Sequence, residues 1–162
     1  MKITELIALH LIEAHEGSNW TEVDVRSSLE DVSLKEATMR TKASPNSIAS
    51  IVQHLTYWNR VMVKRINGIV VADNGSNGFS GPVLHDDEDW SRLKDDNILS
   101  AHELANAIMN FNEDALELPI LPEHASAYKN LQGSVEHVYY HLGQIVILKQ
   151  LIRAERLEFN YL

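Results

Sequence analysis

The sequence predicts an all-α protein, a four-helix bundle formed by residues 1–162 as a single domain. Two observations point there: four long segments place apolar residues at the spacing of one helical face, and no segment alternates apolar and polar residues as a half-buried strand would. A third is size, since 162 residues with 44% hydrophobic content suit one core that buries roughly two thirds of the unfolded chain's surface.

The first helix is expected from Ile3 to Glu16, where Ile3, Leu6, Ile7, Leu11 and Ala14 recur on one side and Gly17-Ser18-Asn19 supplies a stop. Trp20 to Ser44 reads as a connection with one short helical piece, opened by a capping box of Ser33 and Glu36. A second helix is expected to open at Ser44-Pro45 and run to Ile66, because serine caps orphan amides and proline suits the first helical position. Its apolar ridge is Ile48, Ile51, Val52, Leu55, Met62 and Ile66, with His54 at the edge and Asn67-Gly68 as terminator.

Turn-forming residues then cluster at Asp73-Asn74-Gly75-Ser76-Asn77-Gly78 and Ser80-Gly81-Pro82, so a long loop is expected from Gly68 to Leu99, which either crosses the molecule or covers a site, or is disordered. Ser100 and Glu103 suggest a capping box for the third helix, which carries Leu104, Ala107, Ile108, Phe111, Ala115 and Leu118 before Pro119 ends it. The fourth helix is expected from about Asn130 to Arg156, with Leu131, Val135, Val138, Leu142, Ile145 and Ile152 inward.

Composition narrows the function classes. With 14 basic and 23 acidic residues the formal charge is −9, which repels a phosphate backbone and argues against nucleic acid as a partner. Arg60, Lys64 and Arg65 on one helix are an example of a local basic patch, read as a solvated helix face. The longest apolar windows fall short of the roughly 18 residues a membrane span needs, so no membrane partner is expected. The start of the chain lacks the pattern of a secretory signal, and a cytoplasmic location is expected. Without cysteine there are no disulfides, no thiolate ligands and no cysteine nucleophile in the chain.

Among eight histidines, only His137 and His141 have one-turn spacing. At 100° per residue their rings lie about 40° apart on one helical face, with Gln144 beside them. Chance alone would produce roughly 0.4 such pairs in a chain of this composition, so the pair by itself is weak. Its weight grows because His54 borders the apolar face of another helix, and bundle interiors build metal sites from facing positions. The residues stacked with His54 are Ser47, Ser50, Trp58 and Val61, and those stacked with His137 are Asn130, Gly133, Ser134, Gln144 and Leu148. Mostly small or polar, they leave room for water or a substrate. Three neutral imidazoles without a thiolate suit a borderline divalent ion, zinc or nickel, with a position open for chemistry.

Other histidines are read as structural: His10 with Leu6 and Ala14 on the inward side of the first helix, and His15, His85, His102 and His124 facing solvent. His85-Asp86-Asp87-Glu88-Asp89 is read as a solvated acidic loop rather than a second metal site. Tyr57, Trp58, Tyr140 and Gln144 are candidate pocket neighbours. No carboxylate shares the histidine strips, so no general base is assigned.

The segment Ser47-Ile48-Ala49-Ser50-Ile51-Val52-Gln53-His54-Leu55-Thr56-Tyr57-Trp58-Asn59 resembles the second-helix motif of the DinB/YfiT-like metalloenzyme family, a serine-led helix with an apolar-x-His-Leu stretch and following aromatics. His137-Val138-Tyr139-Tyr140-His141-Leu142-Gly143-Gln144-Ile145 resembles that family's H-x-x-x-H-x-G-Q-I signature. The resemblance implies His54, His137 and His141 as metal ligands, an up-down-down-up bundle with long crossover connections, and a homodimer. It further implies a small-molecule substrate and either of two activities, metal-dependent hydrolysis or transfer to a small thiol. The rival expectation is a non-catalytic dimeric module whose metal site is structural or empty.

Overall fold

The computed structural model describes residues 1–72, 75–79 and 81–159, with side chains up to residue 154. Six α-helices follow in order: α1 (Ile3–Glu16), α2 (Val25–Leu29), α3 (Leu34–Thr38), α4 (Ile48–Ile66), α5 (Asp87–Met109) and α6 (Ala127–Phe159). Four are long, and no strand occurs among the described residues. No described helix is long and apolar enough to cross a membrane.

The long helices α1 and α4 each pack against both α5 and α6. Between them lies a core whose fully buried members include Leu11, Ile48, Ile51, Leu55, Leu104, Ile108, Leu131, Ile145 and Ile152. This is the ridge-to-ridge burial that the helical periodicities require.

Helix α1 has the expected bounds but is rotated relative to the expected face. Thr4, Ile7, Ala8, Leu11, Ala14 and His15 point inward, while Ile3, Leu6 and His10 are exposed. Its first free amide, on Ile3, is capped from a distance by Glu113 Oε1 at 2.6 Å.

The following connection holds two short helices rather than one. Asp24 caps α2 by accepting from the Ser27 amide, and Ser33 with Glu36 forms the expected capping box of α3. Helix α4 starts three residues later than expected. Ser44 Oγ accepts from the Asn46 amide in a local turn, and Ser47 Oγ accepts from the Ser50 amide as the true cap.

The larger correction is α5, which begins at Asp87 inside the segment expected to be loop. The acidic run is its first turn: Asp86 Oδ1 accepts from the Asp89 amide, and Asp87, Glu88 and Asp89 place negative charge at the positive end of the helix dipole. Ser100 is therefore mid-helix, buried and donating to the Asn97 carbonyl, and not a cap. The helix also ends earlier, at Met109, with Glu113–Ala115 forming a separate 3-10 turn and Leu118 exposed. Helix α6 begins at Ala127, ahead of Asn130, and buries every expected inward residue from Leu131 to Ile152. Of the expected turn residues, Asp73, Asn74 and Ser80 lie outside the described residues.

Candidate metal centre

His54 projects from α4, and His137 and His141 project from successive turns of α6. One nitrogen from each ring lies within 4.8 Å of the others. His137 Nε2 is 2.9 Å from His54 Nε2 and 3.1 Å from His141 Nε2. An ion bound tetrahedrally at roughly 2.0–2.1 Å from three nitrogens sets them about 3.3 Å apart, so the two pairs that include His137 need open by only a few tenths of an ångström.

Two of the rings are held from behind. His54 Nδ1–H donates to the main-chain carbonyl of Asn77 at 2.6 Å, and His141 Nδ1–H donates to Gln144 Oε1 at 2.7 Å. Each bond fixes the proton on Nδ1 and leaves the Nε2 lone pair directed at the shared point, the arrangement characteristic of metal-ligating histidines.

Electrostatics agree with the geometry. Burial, with smaller repulsion from the neighbouring imidazoles, lowers His137 to about 3. Burial likewise brings His54 to about 4 against the opposing bond to Asn77, and it also lowers His141. All three are therefore neutral at physiological pH, which is the form that binds a metal.

The loop after α4 supplies the outer wall. Phe79 stacks on His54 with centroids 3.8 Å apart and planes 11° apart, and Trp58 meets both His54 and His137 edge-on at 6.3 Å. Trp58 Nε1–H also donates to Asn77 Oδ1 at 3.2 Å. Gly78, at φ +76°, lies against Tyr57. Thus Tyr57 supports the loop and does not line the cleft, whereas Trp58, Tyr140 and Gln144 do. The cleft, about 660 Å³ in volume, extends over the histidines past Asn130, Gly133 and Ser134 of α6. Among the described residues no aspartate or glutamate lines it.

The other histidines do not join the centre. His10 lies exposed beside Tyr139, and His85 and His102 are also exposed. His124 is half-buried, contrary to expectation. His15 departs most: it is fully buried, donating from Nδ1 to the Leu11 carbonyl and meeting Asn59 Nδ2 at 3.4 Å. Asn59 in turn donates to Ser100. Nothing in the spacing separates His15 from His10 until the direction of α1 is known.

Sequence reasoning did not single out Asn77, Phe79 or Lys129. For Asn77 the available signal was Asn-Gly in a turn cluster, since both Asn77 and Gly78 adopt positive φ. Arg60, read as solvated, is clamped by Asp96 with two bonds at 2.5 and 2.9 Å. Arg65 of the same cluster reaches the cleft.

The fold and site define a helical protein with a three-histidine group able to hold a metal ion. Comparison with protein-family models, curated proteins and solved structures finds no match for the chain. The functional reading accordingly rests on the geometry of these residues.

Proposed function

We propose that the protein is a metal-dependent enzyme of the DinB/YfiT-like type, acting on a small molecule at a zinc or nickel ion held by His54, His137 and His141. The observation that carries this is the convergence of three neutral Nε2 atoms, two of them fixed by hydrogen bonds on the opposite ring nitrogen. A divalent ion there supplies Lewis acidity, which activates a water for hydrolysis or an external thiol for transfer.

The chain's own residues do the remaining work. Asn77 and Gln144 orient two rings, and Phe79 and Trp58 pack against the histidines as walls of the cleft that admits the substrate. That cleft favours an open site over the closed coordination of a purely structural ion. The proposal includes the up-down-down-up helix order of that family and a homodimer.

The test is metal content. Purified protein loaded with zinc or nickel should retain one ion per chain, and His141→Ala should retain none while its far-ultraviolet circular dichroism stays helical. Full occupancy in the variant would refute the ligand assignment. Chelator should remove activity before it lowers the melting temperature, and the reverse order would favour a structural ion.

A further inference from the structure

The lining of the cleft runs against the net charge of −9 of this acidic chain. Among the described residues no aspartate or glutamate lines it, while Arg65 and Lys129 both do. Neither cation has a carboxylate partner among the described residues, although Arg26, Arg60, Arg92 and Arg153 each hold one. Arg65 is instead laid over Trp58, with Cζ 5.2 Å from the ring centre, and donates to Met62 Sδ. Lys129 stands in the first turn of α6, where the helix dipole disfavours a cation, so helix stability does not account for it.

Both cations fall at one end of the cleft. His54 meets His141 and His137, and Trp58, one turn further along α4, meets His137, so α4 and α6 run antiparallel past the centre. The end of α4 bearing Arg65 then lies beside the start of α6 bearing Lys129. The 6.3 Å from His54 to Trp58 and the 5.2 Å from Trp58 to Arg65 Cζ keep the guanidinium within about 12 Å of the His54 ring. Lys129 precedes His137 by two helical turns, about 12 Å along the axis before its side chain bends.

We infer that the cleft binds an anionic small molecule, with a metal-binding group at the three histidines and a carboxylate or phosphate held by Arg65 and Lys129 at the far end. This rests on the metal reading above, and it adds the substrate's charge and span. The aromatic faces of Trp58 and Phe79 suit an uncharged stretch between the two ends.

Mercaptohexanoate and mercaptohexanol share a thiol and a six-carbon spacer and differ in the terminal charge. On cobalt-loaded protein, thiolate coordination is read from the charge-transfer band. The acid should bind about tenfold more tightly than the alcohol, the strength of one charge-assisted contact. In Arg65→Gln and Lys129→Gln the preference should shrink, and in the double variant it should vanish, with the cobalt spectrum unchanged. A wild-type preference below about threefold, or one surviving the double variant, overturns the inference. If cobalt fails to bind, the metal reading fails separately. Adipate titrated into metal-free protein then decides the anion inference: the Arg65 Nε–H resonance should shift in wild type and need more adipate to shift in Lys129→Gln, and no shift in wild type overturns it.

Discussion

Gly78→Ala tests whether the loop carbonyl, and not only the three rings, determines metal affinity. At φ +76° an alanine costs about 1–2 kcal/mol relative to glycine. At Gly78 the new Cβ would also stand 2.7 Å from Tyr57 Cδ1 and 3.1 Å from Tyr57 Cβ, too close for the ring alone to swing clear. The loop must withdraw, taking with it the Asn77 carbonyl that holds His54 Nδ1–H at 2.6 Å. Once that bond is gone, the proton is free to move to Nε2 and cover the lone pair. Loss of such an outer partner weakens metal binding by about 10–100-fold. Gly81→Ala is the control, because Gly81 has φ +73° and a Cβ there would meet nothing within 4 Å. Competition with a chromophoric chelator should give a zinc Kd raised about tenfold or more in Gly78→Ala and changed less than about twofold in Gly81→Ala. Equal affinities for wild type and Gly78→Ala would refute the role of the carbonyl, and equal weakening in both variants would assign the effect to general loop strain.

Two further predictions concern the scaffold. Burial lowers His15 to about 4 from an ordinary 6.5, so the unfolded chain takes up a proton below pH 6.5 that the folded protein refuses until about pH 4. Its contribution is intact above pH 6.5 and is lost as pH falls through that window, amounting to about 3 kcal/mol. Urea melts of metal-free protein between pH 7 and 4 should therefore show a shallower acid loss in His15→Gln than in wild type, and parallel curves would contradict this. Trp90→Phe removes the donor that reaches the Val32 carbonyl at 2.8 Å and ties α5 to the connection between α2 and α3. It should lower stability by about 1–3 kcal/mol in urea melts, and an unchanged midpoint would show that the bond contributes nothing net.

The parts of this protein that were legible in its sequence are those where a residue type must recur at a fixed spacing. The ridge of α4 and the inward face of α6 are nearly continuous apolar stripes, and burial follows them. His137 and His141 were legible for the same reason, since ligation by one helix demands a one-turn interval. Helix α5 was hidden because its inward stripe runs through Trp90, Asn97 and Ser100. Asn97 donates to Thr56 Oγ1 and Ser100 to the Asn97 carbonyl, so polar residues occupy the core at positions where periodicity looks for apolar ones. The charged residues around them then read as loop.

His15 illustrates a different limit. An amphipathic helix with apolar residues spread over a wide arc, as in Ile3, Leu6, Ile7, Leu11 and Ala14, does not fix its own rotation to within one residue. Contacts with α5 and α6 bring Thr4, Ala8 and His15 inward and leave Leu6 and His10 outside.

The tether on His54 lies beyond either kind of reading. The acceptor is a main-chain oxygen, which every residue carries, so position 77 has no side-chain signature for this role. What the position must supply is a backbone that turns at φ +49° and returns Phe79 to the ring, and this is a demand on conformation. Glycine at position 78 is the one residue whose absent side chain the close approach to Tyr57 requires. The three converging histidines are thus encoded by residue type, while the orientation of His54 is encoded in the local geometry of a turn.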